Sequence, residues 1–277
     1  MMERGLDGAR VALLERRMSD EMAALVRRFG GVPQNAPAVR EVPRLENAPR
    51  FIDALIARRF SVMIFLTGVG VTSLLRDAER LGRLEPTLAA LRATTIACRG
   101  PKPAAVLARY DVAVQVTADE PYTTNELLDS LTRIDLDGES VALVHYGEPN
   151  PGLSDALKRR GALLEEFVLY EWQLPEDVTP LLTLIGDLIE QRIDAIAFTS
   201  QIQFRHLMQV AARLGKSDDV VRVLNNHTIV AAIGPVCAAA LGAYGVTPDV
   251  LPTHPKMGPL VRALADYVEL CGDLGGV

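Results

Sequence analysis

Two short stretches, Thr67-Gly-Val-Gly70-Val-Thr72 and Thr199-Ser200-Gln201, set hydroxyl-bearing and small residues directly after apolar, strand-like runs. At a strand-to-helix turn the first N–H groups of the helix lack an intrahelical partner, and the helix dipole adds to their pull on an anion. Thr67, Gly68, Thr199 and Ser200 are therefore candidate anion-binding residues. Ordinary N-capping by Ser and Thr accounts for the same residues, so both uses stay open. Arg99-Gly100-Pro101-Lys102 brings two cations to another predicted helix start, Gly234-Pro235 opens a matching one, and Lys256 follows Thr253-His254 in a late loop. Converging on one place, such groups would recognise carboxylates, Arg in bidentate fashion; taken singly, a surface cation is usually just solvated.

Tyr170 closes the predicted strand Phe167-Val-Leu-Tyr170, next to Trp172. Its ring can wedge an interface, or its phenol, with an ordinary pKa of about 10, can give a proton to a leaving group. Tyr146, Tyr122, Tyr110 and His145 carry the same ambiguity.

Other chemistries find little support. His145, His206, His227 and His254 are scattered without a metal-binding spacing. Thr67-Gly-Val-Gly70 lacks the third glycine of a dinucleotide fingerprint, and there is neither a Walker phosphate loop nor a Ser-His-Asp order. Cys98 and Cys237 lie in apolar surroundings that suit small hydrophobes better than nucleophiles, and with Cys271 they fit neither a disulfide framework nor a zinc site.

The elements that must position these groups follow from length and pattern. The 277 residues, 49% of them hydrophobic, suffice for two domains. A net charge of −6 argues against a general nucleic-acid binder. The longest apolar runs, Val62–Leu66 and Ile229–Ile233, are far shorter than the roughly 20 residues that span a bilayer. Met1–Arg10 lacks the apolar core of a signal peptide, so a cytoplasmic protein is expected.

Short aliphatic runs alternate with helical periods, as in parallel βαβ units, and the order then restarts. Val11-Ala-Leu-Leu14 and the predicted helix Met18–Phe29 are answered by Val141-Ala-Leu-Val144 and Leu153–Arg160. The strand ending at Thr67 is answered by the one ending at Thr199, Leu81-Gly82 by Leu214-Gly215, and Gly100-Pro101 by Gly234-Pro235. Thr117 before the predicted helix Thr124–Arg133 parallels Thr253 before Met257–Leu270. Landmarks that keep their order at a slowly drifting offset point to duplication, each copy offering a doubly wound arrangement whose ligands sit at the carboxyl ends of strands. The irregular stretches Pro33–Pro49 and Trp172–Pro180 are candidate crossings between two lobes.

The combined pattern of Phe65-Leu-Thr67-Gly-Val-Gly70-Val, Arg99-Gly-Pro-Lys-Pro103, Phe167-Val-Leu-Tyr170, Phe198-Thr199-Ser200 and Ile233-Gly-Pro235 resembles the uroporphyrinogen-III synthase family from about Val11 to Tyr267. The resemblance implies an α/β fold of two similar flavodoxin-like lobes with parallel sheets, joined by a two-stranded linker. One lobe would combine residues 1–40 with 173–277, the other would be 41–172, and the active site would lie in the cleft between them. It further implies a lyase-type cyclisation of a single substrate by a monomer that needs no cofactor.

That substrate is a linear tetrapyrrole bearing eight carboxylates, hydroxymethylbilane, closed with inversion of ring D and loss of water. Tyr170 matches the family's tyrosine proposed to assist departure of the hydroxyl group. Thr67, Gly68, Arg99, Gly100, Lys102, Thr199, Ser200, Gly234 and Lys256 would hold the substrate's arms. Pro103, Val236 and Cys237 stand where the family often has threonine, so backbone N–H groups or other side chains would replace those hydroxyl contacts. Two other readings remain: a synthase-like sensor or regulatory module without catalysis, and a two-lobed binding protein for an anionic metabolite closing by a hinge. With no DNA-binding module in the sequence and no secretion signal, the enzyme is the leading expectation.

Overall fold

The computed structural model describes residues 5–274. Its contacts divide the chain into two units, one made of the stretch up to Arg40 together with the stretch from Gln173 onward, the other of Glu41–Trp172.

In the second unit the parallel strands β4 (Val62–Phe65), β5 (Thr95–Cys98), β6 (Val116–Thr117), β7 (Ser140–Val144) and β8 (Leu163–Phe167) form one sheet in the order β6-β5-β4-β7-β8. The central strand Val-Met-Ile-Phe is buried at every residue. Such an apolar run is what a parallel strand covered by helices on both faces requires. Phe51, Phe65, Leu74, Leu75 and Leu91 pack one face of the sheet, and Ile64, Leu127, Leu131, Leu143 and Leu157 the other.

The first unit repeats this layout with strands from both ends of the chain. Here β1 (Arg10–Leu13), β2 (Val32–Asn35), β10 (Ala195–Phe198) and β11 (Ile229–Ala232) run parallel in the order β11-β10-β1-β2. A parallel bridge from Ala231 to Val250 extends the edge beyond β11. The two layouts superpose as a pattern, with β1 standing for β7, β2 for β8, β10 for β4 and β11 for β5. Each sheet therefore mixes strands of both sequence copies. Counted along the chain, the first unit has the flavodoxin order 2-1-3-4-5, and the second is its circular permutation because the chain enters at a different strand.

Two further strands, β3 (Arg40–Pro43) and β9 (Tyr170–Gln173), pair as a separate two-stranded sheet where the chain passes from one unit to the other. Sequence reading placed Tyr170 at the end of a strand. In the structure β8 stops at Phe167 and Tyr170 opens β9.

Helix boundaries follow local chemistry. Helix α3 (Gly68–Arg80) is capped by Thr67, whose Oγ1 accepts the Gly70 N–H at 3.0 Å. It ends at Leu81-Gly82 with Gly82 at φ +67, and α9 (Gln201–Arg213) ends likewise at Gly215, φ +66, the left-handed region glycine enters without steric cost. Pro101 and Pro235 occupy the first turns of α5 (Pro101–Ala108) and α11 (Pro235–Gly242), where their missing N–H is no loss. Among the described residues no helix is long and apolar enough to cross a membrane.

Candidate functional site

The carboxyl ends of β4, β5 and β7 bring the sequence's candidate residues together in the unit 41–172. Thr67 follows β4, Arg99 and Gly100 follow β5, and Tyr146 follows β7. The β4/β7 boundary is the point from which the chain order runs outward in both directions, the place where open α/β sheets leave a crevice.

Tyr170, 1% exposed, reaches this end from β9, with its phenol oxygen 2.9 Å from Thr67 Oγ1. Thr67 Oγ1 already accepts from the Gly70 N–H, which leaves its hydroxyl proton available for donation to Tyr170. Either hydroxyl can donate in this pair, and when Thr67 does, the phenolic proton is not used in this bond. The first turns of α3 and α5 lie side by side, since a Cβ on Gly68 would come within 3.2 Å of the Lys102 carbonyl oxygen. Glycine lets the two turns approach this closely, which sets two positive helix ends next to each other. At Gly100, the α5 cap, a Cβ would meet the Tyr122 ring at 3.3 Å.

Arg99 supplies a full charge beside these ends. Its guanidinium carbon lies 4.8 Å from the centre of the Tyr146 ring, and among the described residues it has no carboxylate partner. Burial pulls its pKa below the ordinary value, opposed by Tyr146 and Tyr170. A half-buried guanidinium stacked on an aromatic face keeps its N–H groups for a planar anion. Lys102 is exposed one turn away.

Trp172 completes the cluster. Its ring centre stands 6.1 Å from that of Tyr170 and 5.6 Å from that of Tyr146. It packs on Gly147, where φ is +80 and a Cβ would sit 2.8 Å from the indole. The sequence marks Trp172 as a neighbour of Tyr170 and as the start of a candidate crossing, not as a site residue. The available signal was the 130-residue offset that sets Tyr146 and Gly147 at the end of a repeated strand.

His145 is resolved as a core group. Fully buried, it accepts the Asn150 N–H at Nδ1, 3.3 Å, so Nε2 carries the proton and donates to Glu166 at 2.8 Å. Burial works to raise the Glu166 pKa, but hydrogen bonds from Ser154, His145 and Lys158 outweigh it and hold the carboxyl below its ordinary range.

The other unit treats the matching positions differently. Thr199 donates its N–H to Gln203 Oε1 at 2.8 Å and its hydroxyl to Glu15 Oε2 at 2.6 Å. The Thr199 donors expected there to meet an external anion are already engaged, the N–H by an internal amide oxygen and the hydroxyl by an internal carboxylate, which neither repeat landmark foretold. Ser200 caps α9 from extended backbone without a side-chain capping bond. Gly234 caps α11, and Lys256 is exposed just ahead of α12 (Met257–Leu274).

Where threonine was missing from the pattern, Pro103 is buried, Val236 is exposed and Cys237 is buried. Burial pushes the thiols of Cys98 and Cys237 up to about 12, so neither forms a thiolate near neutrality. Among the described residues no group of three or more His, Cys, Asp or Glu could hold a metal ion.

A family model described as uroporphyrinogen-III synthase HemD matches residues 20–262. The chain is 32% identical to an uncharacterised protein, YjjA, of Bacillus subtilis over 97% of its own length and 99% of the relative's. It is also 32% identical to a provisionally named uroporphyrinogen-III synthase of Methanothermobacter thermautotrophicus over 61% of this chain and 65% of that one. Among solved structures, a mutant uroporphyrinogen III synthase of Thermus thermophilus matches with a TM-score of 0.72 at 26% identity, covering 92% of this chain and 96% of that one.

Proposed function

Because the chain belongs to the uroporphyrinogen-III synthase family, we propose that it closes hydroxymethylbilane to uroporphyrinogen III, inverting ring D and releasing water. The observation that carries this reading is the hydrogen bond of Tyr170 to Thr67, at the paired starts of α3 and α5 and next to Arg99.

The substrate brings its own electron source. The pyrrole nitrogen lone pair expels the hydroxymethyl oxygen, leaving an azafulvene electrophile, while the Tyr170 proton passes to the departing hydroxyl so that water leaves. The ring D carbon bearing the bridge attacks that electrophile, giving a spiro centre. The bond from that carbon to its original bridge then breaks, which regenerates an azafulvene on ring C, and the free α-carbon of ring D attacks it and loses a proton that restores the phenol, so the ring closes inverted. Most of the protein's work is then to hold a flexible chain in the conformation that reacts, an entropic contribution that needs no nucleophile.

Acetate and propionate arms call for anion acceptors, and Arg99, the N–H groups of Gly68 and Val69, and Lys102, whose N–H lies between two prolines that have none, fit that need in one unit. In the other, the turn at Gly234 and the cation Lys256 are the acceptors we assign. Thr199 enters this list only if Glu15 yields its place, and Ser200 stands beside it as a further candidate.

A second reading has one observation behind it. A phenol on a residue only 1% exposed also suits a packing role, as in a tetrapyrrole-binding module that does not close its ligand. One experiment decides between them: purified protein is incubated with fresh hydroxymethylbilane and the oxidised products are separated by isomer. Isomer III is expected; isomer I alone, the spontaneous product, sinks the synthase reading.

A further inference from the structure

Arg16 and Arg40 occupy, in the first sequence copy, the places that Tyr146 and Tyr170 occupy in the second. Both pairs are separated by the same 130-residue offset. Arg16 lies just past β1 as Tyr146 lies just past β7, and Arg40 opens β3 as Tyr170 opens β9. In the unit 41–172 the two tyrosines flank Trp172. In the other unit the two arginines line one pocket of about 310 Å³ walled by Pro37, Pro175 and Pro180. The duplicated position has thus exchanged two phenols for two guanidinium groups.

The pocket's donors are only partly committed. Arg40 pairs with Glu176 through Nη1 and gives Nη2 to Gln173 at 3.0 Å, while its Nε is shielded from solvent and has no partner among the described residues. The Arg16 guanidinium is exposed and makes no ion pair among those residues. Glu176 and Asp177 also line the pocket, the first paired with Arg40 and the second accepting the Thr179 N–H at 2.9 Å. Glu15 accepts the N–H groups of Arg16 and Arg17 at 3.2 and 3.1 Å, which fixes the turn that presents Arg16. The same Glu15 carboxylate occupies the start of α9 through Thr199, so like charge turns a second carboxylate away from that helix end.

From this juxtaposition we propose that the pocket of Arg16 and Arg40 is a subsite for a carboxylate on a short aliphatic arm. Lying at the carboxyl end of β1, it takes over the anion-accepting part that the Thr199 turn at the end of β10 does not play. The guanidinium groups take the acid, and the three proline rings take the methylenes. The assignment rests on the tetrapyrrole reading above, since that substrate carries carboxylates on just such arms.

Binding of uroporphyrin III, the stable oxidised octa-acid, is followed by its fluorescence at constant ionic strength in wild type, Arg16→Glu, Arg16→Lys and Arg213→Glu. Arg213 is an exposed cation at the far end of α9 and matches the charge change. Arg16→Glu is expected to weaken binding roughly tenfold or more, from loss of a charge-assisted contact plus like-charge repulsion. Arg16→Lys, keeping the charge but not the fork, should stay within about threefold of wild type, which also shows that the turn still folds. Equal binding by Arg16→Glu and Arg213→Glu, or no binding by wild type, overturns the subsite. Failure of the synthase reading shows separately, as isomer I alone from wild type in the cyclisation assay.

Discussion

Tyr170 and Thr67 share a hydrogen bond in which either hydroxyl can donate, and the Gly70 N–H holds Thr67 Oγ1 in place. If the phenol delivers a proton in the rate-limiting step, Tyr170→Phe lowers kcat by about 10² to 10⁴ and leaves KM near its starting value. Steady-state rates with hydroxymethylbilane check this, and an unchanged kcat removes the acid role. Thr67→Ala removes an N-cap as well, so urea denaturation should report a stability loss of about 1 kcal/mol. Full stability in that variant would contradict the cap geometry.

At this scale the sequence was informative about residue type and poor at telling partners apart. Thr67 and Thr199 look equivalent in the duplicated pattern, yet one meets Tyr170 and the other Glu15. Their partners lie 103 and 184 positions away along the chain, beyond any local spacing rule.

The turns between elements hold the groups in place, and the glycines there are not interchangeable. Gly147 combines a positive φ with an indole 2.8 Å from where a Cβ would stand, whereas Gly215 has a positive φ and open space. Gly147→Ala should therefore cost about 2 to 4 kcal/mol, from backbone strain and overpacking together, and Gly215→Ala only about 1 kcal/mol. Thermal and urea unfolding of the two variants measures the difference; equal losses would mean that Trp172 does not pack as described.

Helix and strand positions were largely readable beforehand, since Leu-Gly stops, Gly-Pro starts and apolar runs are local signals. The break between Phe167 and Tyr170 was not. Its residues are as apolar as a continuing strand, and only the pairing of β9 with β3 separates them from β8.

Across the whole molecule, acid sensitivity should concentrate in carboxylates that the fold has paired. Asp187 is buried, which by itself raises its pKa, yet hydrogen bonds from Gln34 and Arg192 and the charges of Arg192 and Arg10 bring the net value below the ordinary one. A carboxyl with a depressed folded pKa binds fewer protons folded than unfolded. Its stabilisation is fully present above the unfolded pKa of about 4 and is lost as pH falls through the folded value. Glu166 acts in the same direction. Asp187→Asn should thus be less stable than wild type at pH 7, with the gap narrowing steadily below about pH 4. Urea midpoints across that range check it, and a gap that widens in acid would reverse the assigned sign.

The sequence by itself determined the α/β class, the family resemblance and the internal repeat, because apolar period, glycine stops and proline starts act over a few residues and survive duplication. Tertiary structure alone decided which strands of the two copies pair in each sheet, and that matching turns face a phenol in one unit and a carboxylate in the other. Strand pairing and side-chain contact join residues more than a hundred positions apart, and no local propensity carries that distance.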